Sequence, residues 1–295
     1  MVLCELMSSA PESFLSTWAL LTGLGMISVM FFSGPVFWFY YVCPTYERWC
    51  YKINPKFPSA EDVRLEVIQT VKGLMAGTFA PSMSLYLSQH GMSYAYCGVG
   101  EFGWLYLLVT FFVCWIVADL FEFSYHYLGH SVSWMWQVHR HHHRFYNPSP
   151  FSVIADEPVD QFVRAMPMLL FPLVAPVNMD LLFSLFGVFF YAYGVYLHWG
   201  YEFESIDAHC QWINTSYHHY AHHALSIKNK PYHTGFYIQL WDKIMGSTLE
   251  KCRCSKCARA KGERSFEAWE KLDKPDYSKL LSPCFWLEAW DEKKV

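Results

Sequence analysis

The sequence predicts an all-α, polytopic membrane protein carrying a metal site built from histidines. Three observations lead there. Of 295 residues, 53% are hydrophobic and 19% aromatic, and only 16% are charged, against about 25% in an average soluble domain. Long stretches hold no charge at all, and mean hydropathy is positive at +0.11. The 14 histidines cluster. This balance excludes disorder, which needs low hydrophobicity and high net charge, and leaves too little polar surface for an ordinary soluble enzyme. A net charge of −4 provides no basic field for nucleic acid.

No charged residue occurs from Ser13 to Tyr46. FLSTWALLTGLGMISVMFFS supplies the roughly 20 residues that cross a hydrocarbon core. Gly34-Pro35 marks a break, and PVFWFYYVC sets aromatic side chains where an interfacial belt belongs. The preceding MVLCELMSSAPES carries acids where a cleavable signal peptide needs a basic region, so the span is expected to be retained. A second uncharged stretch runs from Gly73 to Gly91, weakened by Pro81 and several serines. The third, from Phe102 to Ala118, is uniformly apolar. The fourth, from Ala165 to Tyr201, is interrupted by Asp180, Pro167, Pro172 and Pro176 and is long for one crossing. It reads as a helical hairpin that enters and leaves on one side. Three or four spans are expected.

Orientation follows lysine and arginine in short loops. The N-terminal tail has none, whereas the loop after the first span carries Arg48, Lys52, Lys56, Arg64 and Lys72. The segment after Trp241 is basic as well. Both are expected in the cytosol, together with the histidines between the third span and the tail. A cytosolic face keeps thiols reduced, so the ten dispersed cysteines are not expected to form a disulfide framework. Cys252, Cys254 and Cys257 have a C-x-C-x-x-C spacing suited to a metal. No fourth ligand is evident beside them, and free thiols or a lipidated juxtamembrane patch is the preferred reading. The lysine pair in the terminal DEKKV is out of register for a retrieval signal.

Three histidine boxes carry the chemistry. His126 and His130 form H-x-x-x-H in HYLGH. His139, His142 and His143 form H-x-x-H-H in HRHHH, and His219, His222 and His223 repeat it in HHYAHH. Residues three and four apart share a helix face, so each box aims imidazoles at one point. Neutral imidazole ligates iron, zinc, copper and nickel. Eight such ligands exceed what one tetrahedral ion uses, but suit two ions, with carboxylates or a further histidine completing the set. Lone His90 and His209 are read as ordinary residues. Zinc would point to hydrolysis. Two ions in a nitrogen shell beside a membrane suit dioxygen activation by non-haem iron better.

The boxes in this order resemble the fatty acid hydroxylase/sterol desaturase superfamily over Asp119 to Ser247. NPSPFSVIADEPVDQF is similar to its segment after the second box, and INTSYHHYAHH to the entry of the third. TGFYIQLWDKIMGS resembles the closing segment, with Gly235, Trp241, Asp242 and Gly246 on the pattern. Among subfamilies, the sterol C-5 desaturases (lathosterol oxidases) are most similar, through P-S-P-F and W-D-K-I-x-G-S. The resemblance implies a cytosolic cap of helices over about four membrane helices, in the endoplasmic reticulum membrane. It further implies two iron ions (a non-haem diiron centre), dioxygen, and electrons from NAD(P)H through a b-type cytochrome and its reductase. By motif position the ligands are His126, His130, His139, His142, His143, His219, His222 and His223. His198, in YLHWGYE, falls where the family often has a further histidine. Either His218 or His219 starts the third box, and spacing favours His219.

Ser131, Glu157 and His233 depart from the family pattern, which places a histidine at the first two and commonly asparagine at the third. These departures bear on the substrate. The implied organisation is membrane spans and a cytosolic loop over 1–118, a histidine-box domain over 119–250 with a membrane hairpin at about 165–201, and a cytosolic tail over 251–295. The implied reaction is dioxygen-dependent oxidation of a sterol, foremost C-5 desaturation of a Δ7-sterol. The alternatives are hydroxylation of a sterol, sphingoid base or fatty acyl chain, a non-catalytic lipid-binding protein of the same fold, and a zinc hydrolase. Tyr125, Trp134, Trp136, Phe145 and Tyr146 are candidates either for the pocket wall or for packing within the cap.

Overall fold

The computed structural model describes residues 13–250 and 252–291, apart from the side chains of 288–291. The chain begins with α1 (Phe14–Val42), which passes Pro35 and ends in a wide turn closed by Cys43 N–H donating to the Trp38 carbonyl at 2.9 Å. Thr45 caps the short α2 (Tyr46–Trp49). A reciprocal Ser59–Asp62 capping box starts α3 (Ala60–Gly77), satisfying two of the free N–H groups at its end. Then follow α4 (Phe79–Gln89), α5 (Gly103–Ser131), α6 (Ser133–His139), α7 (Pro158–Arg164) and α8 (Met166–Val174). The long α9 (Met179–His198) precedes α10 (Ser216–Leu225) and α11 (Leu240–Met245). The C-terminal segment adds α12 (Ser255–Ala260), α13 (Phe266–Glu270) and α14 (Pro283–Asp291). Two short parallel strands, β1 (Ala95–Tyr96) and β2 (Val177–Asn178), tie the loops before α5 and α9 together.

Among the described residues, α1, α5 and α9 are long and apolar enough to cross a membrane. The lipid-facing character of α5 is direct: Trp104, Leu105, Leu108, Phe112, Val113 and Ile116 are all exposed. Water would not tolerate such a continuous apolar surface on a monomer. The expected second crossing at 73–91 differs in form. It falls on α3 and α4, which meet at Thr78 and run back along α1. Trp18 Nε1 donates to the Met75 carbonyl at 2.9 Å, the Thr22 and Thr78 hydroxyls pair at 2.8 Å, and Phe14 meets Phe79 edge-on at 5.0 Å. The expected hairpin at 165–201 is unequal, a nine-residue α8 containing Pro172 followed by the full-length α9. Proline removes a helical donor and clashes with the preceding turn, which keeps α8 short.

The histidine-bearing ends of α5, α9 and α10 meet beneath loops that the C-terminal segment wraps. Arg64 Nη1 donates to the Phe285 carbonyl and Tyr277 Oη to that of Pro58. Two cations counted for orientation, Lys52 and Arg64, are therefore buried rather than free in the loop. Burial, reinforced by Arg264, pushes Lys52 down to about 7, and its ammonium sits among the rings of Tyr41, Phe57 and Tyr201 at 5.0–5.4 Å. Cys97, in the loop before α5, is disulfide-bonded, whereas Cys43, Cys50, Cys114, Cys210, Cys252, Cys254, Cys257 and Cys284 are free.

Candidate metal centre

Helical register delivers the first histidines. His126 and His130 lie one turn apart on the last turns of α5. Extended backbone at Val132 (ψ 125°) ends that helix, and α6 folds back across it. Gly129 permits the close approach, because a Cβ there would stand 3.1 Å from Cγ of His139. The chain then enters a tight turn over His142–Arg144, so that His142 and His143 point to different sides. His198 ends α9, and α10 presents His219, His222 and His223.

The nine predicted residues converge in two abutting groups. His126, His130, His139, His143 and His222 form one, and His142, His198, His219 and His223 the other. Within each group the candidate ligand atoms all lie within 4.8 Å of one another. Adjacent residues from the second and third boxes split between the groups, with ring centroids 5.9 Å apart for His142–His143 and 5.8 Å for His222–His223. The second and third boxes therefore bridge the two groups.

Outer hydrogen bonds fix the rings. Nδ1–H of His126 donates to the Thr234 carbonyl at 3.0 Å, that of His222 to Tyr232 at 2.7 Å, and that of His198 to Gly194 at 2.8 Å. His130 reaches the Ile227 carbonyl at 3.3 Å, and His139 Nδ1 lies 3.3 Å from Asp160 Oδ2. Such bonds hold the tautomer whose Nε2 lone pair faces inward. Nε2 of His126, His130 and His139 is buried without a partner among the described residues. Elsewhere Nε2 atoms face one another, at 2.9 Å for His198–His219 and 3.1 Å for both His143–His222 and His219–His223. Burial, with neighbouring imidazoles adding to it, holds His139, His143, His219, His222 and His223 well below the usual histidine range. They are thus neutral, the ligating form. An unpartnered buried nitrogen costs about 1–3 kcal/mol, and cations bound at the two foci would satisfy the whole set at once. These residues fit a pair of metal ions.

A buried ionic frame supports the histidines, and sequence reasoning did not assign it. Asp156 Oδ1 lies 2.5 Å from His142 Nδ1, while its Oδ2 accepts from Arg164 and Gln161. Burial opposes its ionisation, but His142 and the Arg164 guanidinium outweigh that and hold Asp156 well below the usual carboxylate range. Arg164 also pairs with Glu122, and Tyr125 donates to Asp160. The clue was the D-x-x-x-D-x-x-x-R spacing of Asp156, Asp160 and Arg164. The closing segment works similarly. Asp242 accepts from Thr234 N–H, Gly235 N–H and the Ser247 hydroxyl, holding the carbonyl that receives His126. Gly235 has no room for a side chain, since a Cβ would lie 2.5 Å from Asn214 Nδ2. Asp119 accepts from Tyr237 N–H and Trp241 Nε1.

The remaining histidines lie outside both groups. His218 accepts from Thr215 N–H at the start of α10. His141 is exposed and pairs with Glu157. His233 adopts φ 49°, a left-handed conformation that asparagine takes more readily, and its Nε2 accepts from Leu249 N–H at 3.0 Å. His90 bonds Tyr86 within its own helix turn. His209 is a correction: it is not an ordinary residue standing alone but faces Cys252, Cys254 and Cys257.

An apolar cavity of about 340 Å³ ends at His126, His198 and His219. Its walls come from α1, α3, α4 and α9, among them Leu24, Leu74, Phe186 and Val188. Leu24 and Val188 are also exposed on the lipid-facing surface. None of the five aromatic residues proposed for its wall lines it. Trp134 and Tyr146 are exposed, Phe145 is buried elsewhere, Tyr125 serves Asp160, and Trp136 packs on His130 with centroids 5.1 Å apart. The wall instead comes from sequence-distant helices, which no local pattern could join.

The fatty acid hydroxylase family profile matches residues 111–247. Lathosterol oxidase of Rattus norvegicus is 29% identical, covering 77% of this chain and 72% of its own length. That of Mus musculus is 29% identical over 77% and 73%. A Delta(7)-sterol 5(6)-desaturase of Gibberella zeae is 31% identical over 53% of this chain and 47% of its own. No solved structure matches. The chain thus carries a fatty acid hydroxylase domain, and these relatives over most of its length are sterol desaturases, which are oxidoreductases.

Proposed function

We propose that this protein is a non-haem diiron sterol desaturase that introduces the C-5 double bond into a Δ7-sterol. One observation carries the reading: two abutting histidine groups close the inner end of an apolar cavity whose mouth reaches the lipid-facing surface. The named relatives support the sterol as substrate. His126, His130, His139, His143 and His222 would hold one iron and His142, His198, His219 and His223 the other. Bound iron supplies dioxygen activation and hydrogen removal from an unactivated carbon.

The chain's own residues do the rest. Leu24 and Val188 admit the sterol laterally, and Phe186, Phe190 and Phe236 hold it dry against the histidines. Asp160 and Asp156, the latter tied to Arg164, hold the second-box imidazoles of His139 and His142 in place. The overall reaction consumes sterol, O2, NAD(P)H and a proton, and yields the sterol with two fewer hydrogens, NAD(P)+ and two waters. Electrons arrive through a b-type cytochrome and its reductase.

The proposed location is the endoplasmic reticulum membrane with the histidines facing the cytosol. Cys97 in a disulfide at one end of α5, and free Cys252, Cys254 and Cys257 at the other, support that polarity. The decisive experiment is incubation of the purified chain with lathosterol, NAD(P)H, cytochrome and reductase, with mass spectrometry of the product. A loss of two hydrogens that requires dioxygen is expected. A gain of one oxygen replaces the reading with hydroxylation, and turnover without dioxygen overturns it.

A further inference from the structure

Away from the histidine centre, three sulfurs and one imidazole meet on the surface of the cap. His209 Nε2 lies 2.8 Å from Cys252 Sγ, 3.9 Å from Cys254 Sγ and 4.0 Å from Cys257 Sγ, and the sulfurs of Cys252 and Cys257 are 3.4 Å apart. All four ligand atoms fall within 4.8 Å of one another. Zinc binds thiolate sulfur at about 2.3 Å and imidazole nitrogen at about 2.0–2.1 Å. A tetrahedron of those bonds separates its ligand atoms by about 3.5–3.8 Å, which the observed spacings bracket.

Two details go beyond coincidence of position. Asp207 Oδ1 accepts from His209 Nδ1–H at 3.1 Å. That leaves the Nε2 lone pair aimed at the sulfurs, the carboxylate–histidine arrangement that accompanies zinc ligands. Backbone N–H groups also donate to sulfur, Cys254 N–H to Cys252 Sγ at 3.3 Å and Cys257 N–H to Cys254 Sγ at 3.4 Å. Such donors stabilise thiolate. The sequence spaces the cysteines two and three residues apart, so a single turn leading into α12 presents all three.

We propose that His209, Cys252, Cys254 and Cys257 form a structural zinc site separate from the histidine centre. Four protein ligands leave no open position for substrate, which marks a structural rather than catalytic ion. The site rivets the C-terminal segment to the loop after α9 and to the back of α10. Cys254 is fully buried against Ile53, Ala208, Tyr217 and Ala221, and Tyr217 Oη accepts from Arg253 N–H at 2.8 Å. Tyr217 and Ala221 flank His219, His222 and His223 on the same helix. Binding zinc releases the thiol protons to solvent, and neither step nor site depends on which metals the histidines hold.

The test is elemental analysis of the full-length protein, purified in detergent with a reductant, beside the Cys252→Ser/Cys257→Ser double variant. Wild type should carry one equivalent of zinc that the variant lacks, with other metals unchanged. Cobalt added to zinc-stripped wild type should give tetrahedral bands with thiolate-to-cobalt charge transfer, and this readout stands even where the variant fails to fold. Absence of the charge-transfer band, equal zinc in both proteins, or a Cys252–Cys257 disulfide in the reduced preparation overturns the proposal.

Discussion

The histidine centre and the cysteine–histidine cluster solve the same problem in opposite ways. The centre draws its side chains from five helices and turns, buries them, and braces them with Asp156, Asp160, Arg164, Glu122 and Asp242. The cluster takes three of four side chains from six consecutive residues and leaves His209 and Asp207 partly in solvent. A centre that must meet a lipid needs depth, and depth requires partners for every imidazole. A clip needs only proximity. The contrast predicts that damage to the centre is chemical and damage to the cluster mechanical.

The largest effect should come from His222→Ala, which removes a side chain from the middle of the boxes. Turnover and bound iron should both disappear while zinc stays, as measured by product formation and elemental analysis; iron and activity at wild-type level would break the contrast. Arg164→Leu comes next. It leaves Asp156 and Glu122 as buried, unneutralised carboxylates, at a cost of about 3–5 kcal/mol, read as a lower midpoint in thermal unfolding. Cys252→Ser/Cys257→Ser should lower that midpoint by about 5–10 °C, the shift that loss of a crosslink worth roughly 2–4 kcal/mol gives, with turnover per bound iron retained.

His233 sharpens the comparison with a pH dependence. Burial lowers it to about 4, against about 6.5 unfolded. A depressed histidine contributes stability fully above 6.5 and loses it as pH falls from there toward 4. Between pH 7 and 5 that loss amounts to about 2 kcal/mol. His233→Asn, which suits the left-handed backbone, should flatten the acid limb of the stability curve by that amount. An unchanged limb would remove His233 as its source. The smallest effect is expected from Val188→Trp at the cavity mouth. The apparent KM for sterol should rise about tenfold, equivalent to about 1.4 kcal/mol, with kcat and metal content unchanged.

The boxes were legible because their ligands sit at helical spacing, so His126/His130, His139/His143 and His219/His223 announce one face each. The split of His142 from His143 was not, since it depends on a tight turn that no periodicity encodes. The ionic frame was half visible in the spacing of Asp156, Asp160 and Arg164. His209 was invisible beside its cysteines because 43 residues separate it from Cys252 along the chain, as their numbering shows. Spans α1 and α5 were plain from uninterrupted apolar sequence. The second crossing was not, because α3 and α4 are joined through Thr78 and owe their course to contacts with α1.

At 29 residues and 1.5 Å of rise each, α5 measures about 43 Å, against a hydrocarbon core of about 30 Å. The rod that crosses the bilayer therefore also ends in His126 and His130, with no hinge between. The height of the histidine centre above the lipid is set by how far this rod protrudes. A thicker or sterol-stiffened bilayer must be met by tilt or local thinning, and either would be felt at the first histidine box. The composition of the host membrane thus becomes a mechanical input to the histidine centre.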